Sequence, residues 1–264
     1  MKNVFVLRLA IGIALFTSLV THAQEDYYTI QGTNVTKQKF ENITHTLNFV
    51  REDLKNENAL SFGFAQLAAN LIPLLVDGAS KLFYNPDNFN KEYFGDYSFF
   101  DPSGRFNALD PNSMLVFEQK GTDASGKETL LTRFQFQLGA VQNVEGYHYI
   151  GLKAYELNYS WAKLSSHKNR MNYVMEIGFF YFDGQDRPQE FYLNPIVLND
   201  AAIPSNAIID TVNYQVIPKM KVLKNIRIHI REINGKKENW DKYLELYKSN
   251  QGNLSNFLTK ALPR

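Results

Sequence analysis

Apolar and polar positions alternate without a break from Leu130 to Ala140. Leu130, Phe134, Phe136, Leu138 and Ala140 share one side, and Arg133, Gln135 and Gln137 the other. Successive strand side chains point to opposite faces, so this pattern predicts a strand with one buried face. Ile226, Ile228 and Ile230 alternate with Arg227, His229 and Arg231 in the same way. Around these two segments, Met114–Gln119, Glu128–Val141, Tyr147–Leu164, Glu190–Leu198 and Tyr214–Val222 also read as strands. The intervening turns fall at Gly121–Gly126, near Asn143–Gly146 and at Asp183–Asp186. In Tyr147–Leu164, Ile150 and Leu152 sit at one parity and Tyr155, Leu157, Tyr159 and Trp161 at the other. That switch near Lys153 and Ala154 predicts a bulge or a crossing between sheets. Asn172–Phe182 is apolar at nearly both parities, as in a central strand covered on both faces. Pro195 and Pro218 cannot donate to a ladder, which places their segments at edges or bulges. About seven strands with hairpin-length turns predict an antiparallel β-sandwich over residues 112–235.

The flanks carry a different period. Phe40, Ile43, Leu47, Val50 and Leu54 recur every three or four residues, with Glu41, Arg51, Glu52 and Lys55 on other faces. This spacing predicts a helix capped by Asn34 or Thr36. Ala59–Val76 holds no charged residue, and its Pro73 predicts a kink or restart. Ser61, Gln66 and Asn70 need polar partners, which favours a helix buried against the sheet over a membrane-inserting segment spanning 59–82. Pro86–Asn112 reads as an ordered connection, because its aromatics are too apolar for a free linker. After the sheet, Trp240, Tyr243, Leu244 and Tyr247 mark one amphipathic face, and Leu254, Phe257, Leu258 and Ala261 another. The expected fold class is therefore α+β. A helical N-terminal region with an ordered connector covers 24–111, the sandwich covers 112–235, and a C-terminal helix pair packed on it covers 236–264.

Composition adds location. Lys2, the apolar run Leu9–Val20 and the small residues of Thr21-His22-Ala23 predict a secretory signal peptide over 1–23, cleaved after Ala23. The destination is the periplasm, the envelope or the medium. The chain has no cysteine, which excludes disulfides, thiolate metal sites and cysteine nucleophiles. Its 15 Tyr and 20 Phe fit many half-buried strands better than displayed aromatic platforms. Loss of Lys2 and Arg8 with the signal takes the formal net charge from +1 to −1. The balance is uneven: residues 25–213 are net acidic and residues 214–264 strongly basic. Such polarity docks a chain's own ends together or offers a basic patch to an anionic partner.

Catalytic signatures are missing from the sequence. It holds no Gly-x-Ser-x-Gly elbow, no His-Glu-x-x-His, no phosphate-binding Gly-rich loop and no dinucleotide fingerprint. His45, His148, His167 and His229 are scattered, and the alternation places His229 on a solvated strand face. Paired carboxylates need no local motif, so Glu156 and Glu176 are the pair to inspect for glycan hydrolysis. Asp123 with Ser125, and Asp183 with Asp186, are oxygen-rich turns of a kind calcium favours, although neither has EF-hand spacing. They read as ordinary hairpin turns, with no metal and no cofactor expected. The basic segment is the most specific feature. Lys219, Lys221, Lys224, Arg227 and Arg231 face a single nearby acid, Glu232. Like charges on one strand face repel unless something anionic covers them. Candidates are the chain's own acidic part, an envelope protein, a glycan or another anionic surface; nucleic acid is not expected of an exported, near-neutral chain. The expectation is an exported, non-enzymatic envelope or secreted protein that binds or scaffolds a partner. Its rivals are a membrane-inserting protein using 59–82 and a glycan-processing hydrolase using Glu156 and Glu176.

Overall fold

The computed structural model describes residues 24–51, 62–63, 90–98, 113–142, 145–164, 170–234 and 241. The described strands are β1 (Glu25–Gln31), β2 (Asn34–Arg51), β3 (Phe62–Gly63), β4 (Asn90–Ser98), β5 (Ser113–Thr122), β6 (Glu128–Gln142) and β7 (His148–Leu157). There follow β8 (Arg170–Phe182), β9 (Pro188–Tyr192), β10 (Ile196–Ala202), β11 (Ser205–Ile208), β12 (Gln215–Ile217) and β13 (Val222–Asn234). They form two sheets. The first runs β1-β2-β5-β6-β7-β11, with β12 also on β7 and β3 on β6. The second runs β10-β8-β13-β4, with β9 also on β8. All pairings are antiparallel except the short β3–β6 contact.

The two sheets bury their facing sides against each other, which is what alternating strands require. Phe134, Phe136 and Leu138 of β6 meet Met175, Ile177 and Phe179 of β8 and Ile226, Ile228 and Ile230 of β13 in one core, all at 0% exposure. Aromatic rings bridge the layers: Phe134 meets Tyr173 at 5.3 Å and Phe117 meets Tyr93 at 5.5 Å between ring centres. The Phe117 ring lies directly on Gly95, where a Cβ would stand 2.9 Å from it. A second, smaller core forms on the outer side of the first sheet, where Val212 and Tyr214 pack on Val141 and Tyr149. The high aromatic content is thus largely structural.

Several expectations hold. β8 is central in its sheet and buried at both parities. The parity switch is a bulge at Lys153: Gln135 pairs with Ala154 and Phe136 with Leu152, which skips one residue. The proline segments are short and peripheral; Pro195 lies between β9 and β10, and Pro218 follows β12. The strand expected over 147–164 ends sooner, at Leu157.

The α+β expectation is overturned, because about three-quarters of the described residues are strand and nearly all of the regular structure among them is antiparallel β. The helix expected from Asn34 is instead β2, paired along its length with β1 and β5. Its pairing slips between Glu41 and Thr44, and Asn42 takes a left-handed φ of 49°. Such a bulge moves the inward side from even to odd positions. Phe40 points inward before it, and Ile43, Leu47 and Phe49 after it. One strand with a phase slip therefore spaces its apolar residues as a helix does, and the β-branched run of Val35, Thr36, Ile43, Thr44 and Thr46 agrees with a strand. The expected connector at 86–112 contains β4, whose Tyr93, Gly95 and Tyr97 face the core. Of the stretch 59–82, Phe62–Gly63 pair with Val141–Gln142 as strand, and the remainder lies outside the described residues. Among the described residues no helix is long and apolar enough to cross a membrane. The C-terminal helix pair at 236–264 lies outside them too, apart from Asp241.

Candidate functional site

The basic segment is held by acids of its own chain. On the outer side of the second sheet, Arg227 Nε donates to Asp96 Oδ1 at 2.7 Å, and Arg231 Nε lies 3.5 Å from Glu92 Oε2. Lys221 Nζ contacts Asp186 at 2.7 Å. Lys224 Nζ sits 5.4 Å from the centre of the Phe182 ring, and the stem of Lys219 lies across Gly146. Register explains the pairing, because β13 places Arg227 opposite Asp96 and Arg231 opposite Glu92 on neighbouring β4. Cross-strand acids from the N-terminal half thus supply the countercharge that the like-charged face requires.

His229 corrects the expectation of a solvated position. It is completely buried, with Nδ1 2.9 Å from Glu176 Oε2 and Nε2 2.8 Å from Glu92 Oε2. Phe94 stacks on its ring at 4.3 Å. Both ring nitrogens thus lie within hydrogen-bond distance of a carboxylate, one on β8 and one on β4. The bond from His229 is the main reason that the Glu92 carboxyl sits below the usual glutamate range.

Glu156 and Glu176 are not brought together. Glu156 belongs to β7 in the first sheet and joins Arg133 and Glu118; Glu176 belongs to β8 in the second sheet and joins His229. Their strand neighbours Leu157 and Ile177 point into the shared core. The two carboxylates therefore face away from it on opposite outer sides, where no glycosidic bond lies between them. The oxygen-rich turns are closed by N–H donors. Asp123 Oδ1 accepts from the amides of Ser125 at 2.9 Å and Lys127 at 3.1 Å. Asp183 Oδ1 accepts from those of Gln185 and Arg187, and Arg187 Nε adds a bond to Oδ2. These donors hold Asp183 down at about 2. Carboxylates filled this way brace turns, and among the described residues no cluster of three or more acidic or histidine groups stands ready for a metal.

The site that the fold does assemble lies where the two sheets meet beside β1. The chain leaving β7 turns across at Asn158–Ala162, and Tyr28 and Ser160 exchange backbone hydrogen bonds at 2.8 Å. This single bridge joins β1 to the segment after β7. Beneath the crossing is Glu232. It continues the inward parity of Ile226, Ile228 and Ile230, has no exposed surface, and lies opposite Tyr173 on β8 and Lys91 on β4. Its Oε2 accepts from the amides of Trp161 at 2.8 Å and Ala162 at 2.9 Å and from Ser160 Oγ at 3.2 Å; Tyr93 donates to Oε1 at 3.3 Å. Tyr173 faces the same carboxyl. Burial raises Glu232 to about 7, and the four donors restrain a larger rise. Burial, then the negative charge of Glu232, raises Tyr27, Tyr93 and Tyr173 above the ordinary phenol range. A carboxyl near neutrality suits proton transfer, yet its enclosure keeps substrate atoms from it.

Over this network opens a cleft of about 300 Å³ lined by Glu25, Asp26, Tyr28, Lys91 and Trp161. Trp161 lies nearly parallel to the ring of Tyr27, at 6.3 Å and 16°, and Lys91 Nζ stands 5.1 Å from its ring centre. Glu25 is raised by burial, an effect that the nearby Lys91 charge opposes. Asp26 pairs with Lys37 at 2.6 Å. Sequence reasoning passed over this site. Its legible signal was Glu232, an acid at the position where the isoleucine alternation calls for an apolar side chain. No protein-family model matches the chain, and no curated protein matches it.

Proposed function

We propose that this chain is an exported, non-enzymatic binding or scaffold protein of the cell envelope or the surrounding medium, and that the cleft between Lys91 and Trp161 takes its ligand. The observation that carries this reading is the construction of the cleft. Half-buried aromatic surface from Trp161 and Tyr28 meets charged groups of both signs, the mixture of apolar body and few polar anchors that small-ligand sites use. Its wall is rigid before any ligand arrives, because Glu232 holds the amides of Trp161 and Ala162 from below. Preorganisation of that kind lowers the cost of binding. The amino-terminal signal and the missing catalytic motifs support export and a non-catalytic role. The paired state of Arg227, Arg231 and Lys221 favours the cleft over the basic segment as the contact surface.

The test is equilibrium binding of the exported protein to envelope polysaccharide, peptidoglycan fragments and phospholipid vesicles, repeated with Trp161→Ala. A ligand held by the native protein and lost by a variant with unchanged circular dichroism supports the proposal. A ligand held equally by both proteins moves the binding surface elsewhere and refutes it.

A further inference from the structure

We propose that the cleft recognises a small organic ammonium group, and that the chain's own Lys91 occupies the ligand's place. The proposal rests on the cleft being the binding site and goes beyond it in naming the chemistry. Lys91 Nζ lies 5.1 Å from the centre of the Trp161 ring, within the distance at which an ammonium is attracted to the negative face of an indole. The remaining lining is an aromatic hydroxyl, Tyr28, and two carboxylates, Glu25 and Asp26. Asp26 is already balanced by Lys37, which leaves Glu25 and the indole face as the groups that Lys91 serves. A cation that displaces Lys91 meets that indole face and the Glu25 carboxylate, whereas an anion meets the negative face of the ring and a like charge.

The competitor is built to leave. Lys91 is half-buried on the edge strand β4, and its four-carbon stem can swing its charged end from the ring toward water. The indole stays in place, packed beside the Tyr27 ring, on a backbone whose Trp161 main-chain N–H donates to Glu232. Exchange of one ammonium for another thus preserves the wall, and a volume of about 300 Å³ suits a choline-sized group or an amino sugar.

The test compares choline with its uncharged isostere 3,3-dimethyl-1-butanol by titration calorimetry, using the whole exported protein and its Lys91→Met and Trp161→Leu variants. Removing the internal ammonium is expected to tighten choline binding roughly two- to fivefold, the exchange value of one exposed cation–π contact. Trp161→Leu is expected to abolish it with the near-ultraviolet tyrosine signal retained. Weaker choline binding by Lys91→Met overturns the proposal. Equal binding of the neutral isostere, still dependent on Trp161, overturns the ammonium chemistry and leaves the cleft as the site. Absence of any probe whose binding depends on Trp161 removes both. Glucosamine oligomers and ethanolamine-headgroup vesicles then separate a polysaccharide source of the ammonium from a lipid one, and capture of either supports it.

Discussion

Replacing Glu232 by glutamine should change how stability depends on pH. In the folded protein burial raises this carboxyl from 4.5 to about 7. Between those values the folded state holds a proton that the unfolded chain has released, so folding is favoured by low pH and the advantage is lost as pH rises through 7. The full difference corresponds to about 3 kcal/mol. Glutamine keeps an oxygen for the Trp161 and Ala162 amides and the Ser160 hydroxyl and turns its N–H groups toward the Tyr93 hydroxyl oxygen, but it cannot ionise. The variant should therefore gain on the native protein by about 3 kcal/mol between pH 4.5 and 8.5. Urea unfolding at half-unit pH steps measures this, read as the difference between the two proteins. Glu92, whose lowered carboxyl loses stability as pH falls through its folded value, contributes alike to both and cancels. A difference that is flat across the range would refute the buried-carboxyl reasoning.

Three further outcomes follow from the packing. Gly139→Ala places a methyl on the Tyr149 ring and should cost about 1–3 kcal/mol by urea unfolding, through overpacking of the outer core. His229→Ala leaves the Glu176 carboxyl, only 6% exposed, without its hydrogen-bond partner, and should lower stability by about 1–3 kcal/mol in the same assay. Lys221→Glu breaks an exposed pair and should change stability by less than about 1 kcal/mol, whereas Arg227→Glu, opposite Asp96 at an 11% exposed position, should cost several times more. Thermal melts of the two charge reversals check the contrast, and equal effects would contradict the burial assigned to Arg227.

By itself the sequence determined the sheet-forming half of the molecule. Alternation marked the buried face of β6 from Phe134 to Leu138 and that of β13 from Ile226 to Ile230, although at the ends of β6 Leu131 and Val141 are buried where Leu130 and Ala140 were expected. Apolar residues at both parities marked β8 as central, and a parity switch located the Lys153 bulge. These are local consequences of a two-residue side-chain period, which survives in the sequence wherever the strand stays in phase. Only the tertiary structure decided β2, because the bulge beside Asn42 breaks that phase and leaves apolar spacings of three and four. It alone decided which charges meet: Asp96 and Glu92 are more than a hundred residues from Arg227 and Arg231, and sheet pairing brings them opposite. The separation of Glu156 from Glu176 is likewise a matter of which sheet each strand joined. The cleft draws on β1, β4 and the crossing after β7, and its floor on β13. A site made from four distant segments has no linear spacing. What the sequence retained was one acid out of place in a row of isoleucines, whose partners folding chose because a buried carboxyl must find donors.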